Sequence, residues 1–122
     1  MYARARSLYR LQVVACVIRP EQLDDVTSAL RKAHLMMGMT VFNVRGFGRQ
    51  RGGQEKTSGT AAIRFLPKLK LEVMVRRKDV SRLLKVLVAA LHTGEIGDGK
   101  VVIFDAVHAM RIRTGERGID AL

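Results

Sequence analysis

Residues 46–68 read Gly46-Phe-Gly-Arg-Gln-Arg-Gly-Gly-Gln-Glu-Lys-Thr-Ser-Gly-Thr-Ala-Ala-Ile-Arg-Phe-Leu-Pro-Lys68. Glycines and arginines are interleaved in the first half. Glycine lets backbone N–H groups approach an anion closely, and arginine adds a fixed fork of donors suited to phosphate or carboxylate. The second half is small and polar, with no helical period. A stretch this long without secondary structure of its own is uncommon in a compact domain and is usually functional. It reads as an exposed, anion-seeking loop.

The flanks of this loop decide the fold. Before it, Thr40-Val-Phe-Asn-Val-Arg45 is β-branched and strand-like. After Pro67, Lys68-Leu-Lys-Leu-Glu-Val-Met-Val75 begins as a clean alternation. Leu69, Leu71, Val73 and Val75 point one way; Lys68, Lys70, Glu72 and Met74 point the other. The two strands should pair as a long hairpin across the loop.

Further out, Leu11-Gln-Val-Val-Ala-Cys-Val-Ile18 is nearly all apolar and reads as a buried strand. Arg19-Pro20 ends it. Pro20 suits the first position of a helix, and Glu21, Asp24 and Asp25 suit its positive end. Leu23, Val26, Leu30 and Ala33 then recur at helical spacing, and Gly38 closes the connection. Met36, Met37 and Met39 read as adaptable core packing. A second helix is predicted from an N-cap at Asp79, with Val80, Leu83, Leu84, Leu87, Ala90 and Leu91 on its buried face and a stop at Gly94. A glycine turn, Ile96-Gly-Asp-Gly-Lys100, leads into a fourth strand over Val101–Phe104. Met110-Arg-Ile-Arg113 alternates again, which predicts that Arg111 and Arg113 project from one face of a strand. The order is β-α-β-β-α-β, an α+β ferredoxin-like arrangement with both helices on one face of an antiparallel sheet. The other sheet face needs cover, and oligomerisation would supply it.

The chain has 122 residues, about one domain, with a single Cys and no Trp. A disulfide within the chain is therefore excluded, and Cys16, in an apolar run, reads as a small buried hydrophobe. No apolar run reaches the ~20 residues of a membrane span. Residues 1–10 lack the apolar stretch of a secretory signal and read as an N-terminal extension to a domain spanning 11–122. The net charge of +11 invites anionic partners. RNA binding on this fold would call for an aromatic-rich sheet motif, which the sequence lacks. Hydrolytic chemistry would need paired carboxylates or a His/Cys arrangement, and none is evident; His34, His92 and His108 are scattered. Three basic or glycine-rich pieces remain: Gly46–Gly52, Gly97–Lys100 and Arg111–Gly115. Together they suggest a nucleoside triphosphate held by backbone amides and several cations. None is a Walker A loop or a Rossmann fingerprint.

Five strings in order give a more specific reading. Gly38-Met-Thr-Val41, Gly46-Phe-Gly-Arg-Gln-Arg-Gly52, Phe65-Leu-Pro-Lys68, Thr93-Gly-Glu-Ile-Gly-Asp-Gly-Lys100 and Arg111-Ile-Arg-Thr-Gly-Glu116 resemble the PII nitrogen-regulatory signal-transduction family, over about residue 12 to Leu122. The resemblance implies a non-enzymatic, cytoplasmic homotrimer with nucleotide clefts between subunits. It implies competitive binding of ATP or ADP, and sensing of 2-oxoglutarate together with Mg and ATP. Thr40, Gly48, Arg49, Gln50, Gly97, Asp98, Gly99, Lys100, Arg111 and Arg113 would bind nucleotide, some of them from the neighbouring subunit. Gln50, Lys68 and Gly97 would bind 2-oxoglutarate, and Gln50 would also ligate Mg.

The loop, about 47–64, would be the family's effector loop, which engages a target protein such as a transporter or a metabolic enzyme. Membrane contact would be indirect, through a transporter, and nucleic acid would not be a partner. The sequence departs from the family here. The usual Tyr-Arg-Gly-Ala/Ser-Glu-Tyr segment is replaced by Glu55-Lys-Thr-Ser-Gly-Thr-Ala-Ala-Ile63, and the only tyrosines are Tyr2 and Tyr9. Tyrosine nucleotidylation of the loop is thus not expected. Thr57, Ser58 and Thr60 are candidate phosphorylation positions, with flexible loop residues as the simpler reading. The departure leaves an alternative: a divergent PII-like regulator of a transporter or another non-nitrogen target, with nucleotide binding but an altered or absent 2-oxoglutarate response.

Overall fold

The computed structural model describes residues 9–47 and 64–122. Residues 1–8, and with them most of the N-terminal extension, lie outside the described residues, as do 48–63 of the loop, with the candidate positions Thr57, Ser58 and Thr60.

Four strands form one antiparallel sheet: β1 (Leu11–Ile18), β2 (Met39–Gly46), β3 (Leu66–Arg76) and β4 (Val101–Ala106). Their spatial order is β2-β3-β1-β4. The hairpin forms as expected, with Val41 opposite Leu71 and Gly46 opposite Leu66. β1 lies between β3 and β4, with Val14 opposite both Val73 and Ile103. Strand β3 starts two residues earlier than the alternation suggested and includes Pro67. Proline's missing donor is tolerated there because the position is at the strand's end, opposite Arg45.

Helices α1 (Leu23–Lys32) and α2 (Val80–Leu91) cover one sheet face. Val26, Leu30, Val80, Leu83 and Leu87 pack with Val14, Cys16, Ile18, Leu71, Val73 and Val75 into one core. Burial at ~25 cal/mol per Å² of apolar surface is the main force holding the helices down. The other face carries Val17, Phe42, Val102 and Phe104, each more than a third exposed. Gln12 and Asp105, opposite each other on β1 and β4, satisfy one another at 2.6 Å, so the amide of the buried Gln12 is paired.

Three expectations need correction. Pro20 opens a 3-10 turn, Pro20–Gln22, and the α-helix begins only at Leu23. The Gln22 side chain holds this entry, accepting from the Arg19 N–H at 3.3 Å and donating to the Leu91 carbonyl at the end of α2. Asp79 stands at the N-cap position of α2, but its carboxylate does not cap the helix. It accepts instead from Arg76 Nε at 2.9 Å, a charged donor that outcompetes a backbone N–H. Met110–Arg113 is not a regular strand. Met110 bridges to Arg117, and the chain turns between them, with the Gly115 N–H donating to the Arg111 carbonyl at 2.7 Å and Gly115 in the left-handed region.

Candidate functional site

The loop between α2 and β4 is built around one carboxylate. Asp98 accepts from the backbone N–H groups of Thr93 (2.8 Å) and Gly94 (3.0 Å), from the Thr93 hydroxyl, and from the Arg19 guanidinium at 3.1 Å. Arg19 also donates to the Ile96 carbonyl at 3.2 Å. The Thr93 hydroxyl and N–H, joined by the Gly94 N–H and Arg19, hold the Asp98 carboxyl well below the usual carboxylate range. Asp98 is therefore ionised across ordinary pH and ties the loop to the end of β1.

Glycines let this loop lie flat on the sheet. Gly94, Gly97 and Gly99 all have positive φ. At Gly99 the requirement is double. Its φ is +83°, and a Cβ there would stand 2.5 Å from the Val17 carbonyl oxygen. Only glycine brings the 97–100 backbone this close to β1.

The loop, the end of β1 and the open end of the hairpin enclose a cavity of about 730 Å³, a size suited to a small-molecule ligand. Lys68, Lys70 and Lys100 supply its cations, Gly97 and Gly99 its backbone, and Val17, Ile96, Val102 and Phe104 an apolar wall. Burial pushes the Lys68 ammonium below its ordinary value, Arg19 adds repulsion, and Glu21 partly opposes both. Lys70 is anchored by Glu72 at 3.4 Å and lies 5.8 Å from the Phe42 ring centroid. Phe47 and Phe65, with ring centroids 5.9 Å apart, flank the hairpin's mouth. The cavity offers what an anionic ligand with an apolar body needs: positive charge, closely approachable glycine backbone and an apolar surface.

The expected site residues divide into groups. Gly97, Gly99, Lys100 and Lys68 meet in this cavity. Asp98 sits behind them and holds the loop. Thr40 is on β2, opposite Glu72, and does not line the cavity. Arg111 and Arg113 lie in the C-terminal turn and do not line it either. Arg111 pairs with Glu116 at 3.4 Å and donates to the Leu122 carbonyl, whereas Arg113 is exposed. Gly48, Arg49 and Gln50 lie outside the described residues. Sequence reading missed Arg19, whose partners Ile96 and Asp98 are more than seventy positions away, and it missed the apolar wall, whose members come from β1, β4 and the loop. No local pattern announces either.

The family model for the nitrogen regulatory protein P-II matches residues 11–116. The chain belongs to the P-II family. A P-II protein of Rhizobium etli is 43% identical over 113 residues, covering 92% of this chain and all of the relative. One of Synechocystis is 45% identical over the same share of each. Among solved structures, Arabidopsis thaliana PII bound to citrate superposes with a TM-score of 0.77 at 33% identity, covering 93% of this chain and 94% of that one. The ferredoxin-like α+β fold read from the sequence is thus the P-II fold, and the chain is a P-II-type protein of nitrogen regulation, a family of signalling proteins. No helix among the described residues is long and apolar enough to cross a membrane.

Proposed function

We propose that the protein binds ATP or ADP, senses 2-oxoglutarate together with Mg and ATP, and reports both to a target protein through its 47–64 loop. The observation that carries this reading is the lysine-rich cavity closed by the Gly97–Lys100 turn on Val17. Backbone amides and lysines there match the oxygens of a phosphate chain, and the wall of Val17, Ile96 and Phe104 suits a flat apolar ring.

In this reading Gly97, Gly99 and Lys100 meet the phosphates, and Asp98 acts by fixing the turn. Thr40, Gly48, Arg49 and Gln50 belong to the nucleotide site, and Arg111 and Arg113 complete it from a neighbouring subunit of a homotrimer. Exposed Val17, Phe42, Val102 and Phe104 supply apolar surface for such an assembly. Lys68, Gln50 and Gly97 take 2-oxoglutarate; the Arabidopsis relative was solved with another carboxylate, citrate. Mg, held by phosphate oxygens and the Gln50 amide oxygen, would supply charge neutralisation between nucleotide and oxoacid. Ligand binding would select among loop conformations, and a target with differential affinity for them would read the result. The action is regulatory rather than enzymatic, in the cytoplasm, with residues 1–10 an extension to the 11–122 domain.

The test is calorimetric titration with ATP, ADP and AMP, each repeated with Mg and 2-oxoglutarate. ATP binding plus 2-oxoglutarate binding that needs Mg and ATP supports the proposal. Nucleotide binding without an oxoacid response favours the divergent regulator that the loop sequence suggests. No nucleotide binding overturns both.

A further inference from the structure

A second cationic site lies at the opposite end of β1. There a cleft of about 280 Å³ is lined by Arg10, Arg76, Arg77, Lys78 and Ile119. The fold forces these charges together. Leu11 and Arg76 are register partners, so the start of β1 and the end of β3 meet, and the Arg77 N–H donates to the Arg10 carbonyl at 2.7 Å. The cleft is about 20–25 Å from the Gly99–Val17 contact, reckoned at ~3.3 Å per residue along β1.

Among the described residues, Asp79 is the one acidic group paired with this cluster. Asp79 is occupied by Arg76 at 2.9 Å and faces Arg82 at 3.8 Å. Arg10, Arg77 and Lys78 are exposed and have no ion-pair partner among the described residues. Like charges held by backbone register repel one another, and a bound anion removes that cost. Guanidinium forks beside an ammonium suit phosphoryl oxygens. At this volume the cleft is below the usual range for a drug-sized ligand, ~300–1,000 Å³, which favours a compact anion.

We propose that this cleft binds an inorganic anion of two or more linked phosphoryl groups, independently of the cavity at the Gly97–Lys100 turn. The inference does not depend on the nucleotide reading, because it uses none of the same residues.

The test is calorimetric titration of the full chain with tripolyphosphate, on the wild type, on R77Q/K78Q and on K100Q. Wild type should bind. R77Q/K78Q should lose about tenfold or more in affinity at the site that K100Q retains, leaving only the binding that K100Q weakens. R77K/K78R, which keeps the charge, should bind within a few-fold of wild type. R10Q offers the same reading if R77Q/K78Q fails to fold, as judged by circular dichroism. No binding to wild type, unchanged affinity in the folded charge-removing variant, or loss confined to K100Q would each overturn the proposal.

Discussion

Arg19 and Asp98 are 79 positions apart and joined at 3.1 Å, so the end of β1 holds the turn that follows α2. The pair has little exposure on either side chain, 16% and 22%. It belongs to a network with the Thr93 hydroxyl and two backbone N–H groups, so its value is in setting the turn's shape more than in Coulomb attraction alone. Asp98→Asn should raise hydrogen exchange at the Thr93 and Gly94 amides and weaken ATP binding several-fold. Arg19→Ala should loosen the turn less, because the Thr93 and Gly94 donors remain. Unchanged exchange in Asp98→Asn would show that the turn holds itself.

The same network fixes a pH dependence. The Asp98 pKa is lowered on folding from an ordinary value of 3.8. The unfolded chain then binds the proton more readily, so the stabilisation is fully present above pH ~4 and is lost as pH falls through the lower folded value. Protection of the Thr93 and Gly94 amides, after correction for intrinsic exchange, should be the same at pH 7 and pH 5. A loss already complete at pH 5 would contradict this assignment.

Two glycines separate backbone strain from collision. Gly115 has φ +76° and nothing within 4 Å of an added Cβ, whereas Gly99 has φ +83° and a carbonyl oxygen 2.5 Å away. Gly115→Ala should cost about 1 kcal/mol, the left-handed penalty less the entropy removed from the unfolded chain. Gly99→Ala adds a clash with main chain that cannot rotate away, and should cost about 3 kcal/mol. Denaturant midpoints decide it; equal costs would mean that the turn shifts off β1 without loss.

How much could be read in advance follows from the range of the forces involved. The alternation at Leu69, Leu71, Val73 and Val75 and the helical spacing of Val26 with Leu30 record local geometry, and β3 and α1 form around those patterns, with boundaries shifted by two or three residues at their starts. Asp79 takes the N-cap position that local reasoning gives it, but its carboxylate is drawn to Arg76, three residues back and a stronger donor. The alternation at Met110–Arg113 is also local, but among the described residues it meets no strand beyond the single Met110–Arg117 bridge, and the chain turns there. Lys68 and the Gly97–Lys100 turn were named by motif, and the cavity brings them together. Arg19 and the Val17, Ile96 and Phe104 wall exist only after folding, so sequence periodicity carries no trace of them.

His34 is the one non-glycine residue with positive φ among those described, at +57°. It ends α1, donating to the Arg31 carbonyl at 3.1 Å, while the Leu35 N–H reaches the Leu30 carbonyl at 2.9 Å. Glycine is favoured at this position of a helix end. Relief of ~1–2 kcal/mol of left-handed strain, less the unfolded-state entropy that glycine adds, leaves a gain of about 0.5–1 kcal/mol for His34→Gly. The denaturant midpoint should rise; a fall would mean that the imidazole contributes packing worth more than the strain.

Lys68 and Arg111 should fail differently when removed. Arg111 is engaged with Glu116 and the Leu122 carbonyl, so a phosphate must compete for it, yet a charged hydrogen bond to phosphate is worth ~1.5–3 kcal/mol. Arg111→Ala should weaken ATP binding about tenfold or more. Lys68→Ala should leave ATP binding nearly intact and abolish the 2-oxoglutarate response. Proton uptake gives Lys68 a further signature. Its pKa is lowered in the free protein by burial and by Arg19, and a bound carboxylate would raise it again. At alkaline pH, between the two values, 2-oxoglutarate binding should take up protons, seen as a binding enthalpy that varies with the buffer's ionisation enthalpy. That variation should vanish in Lys68→Arg, whose guanidinium does not titrate. Proton uptake that persists in Lys68→Arg would assign the titrating group elsewhere.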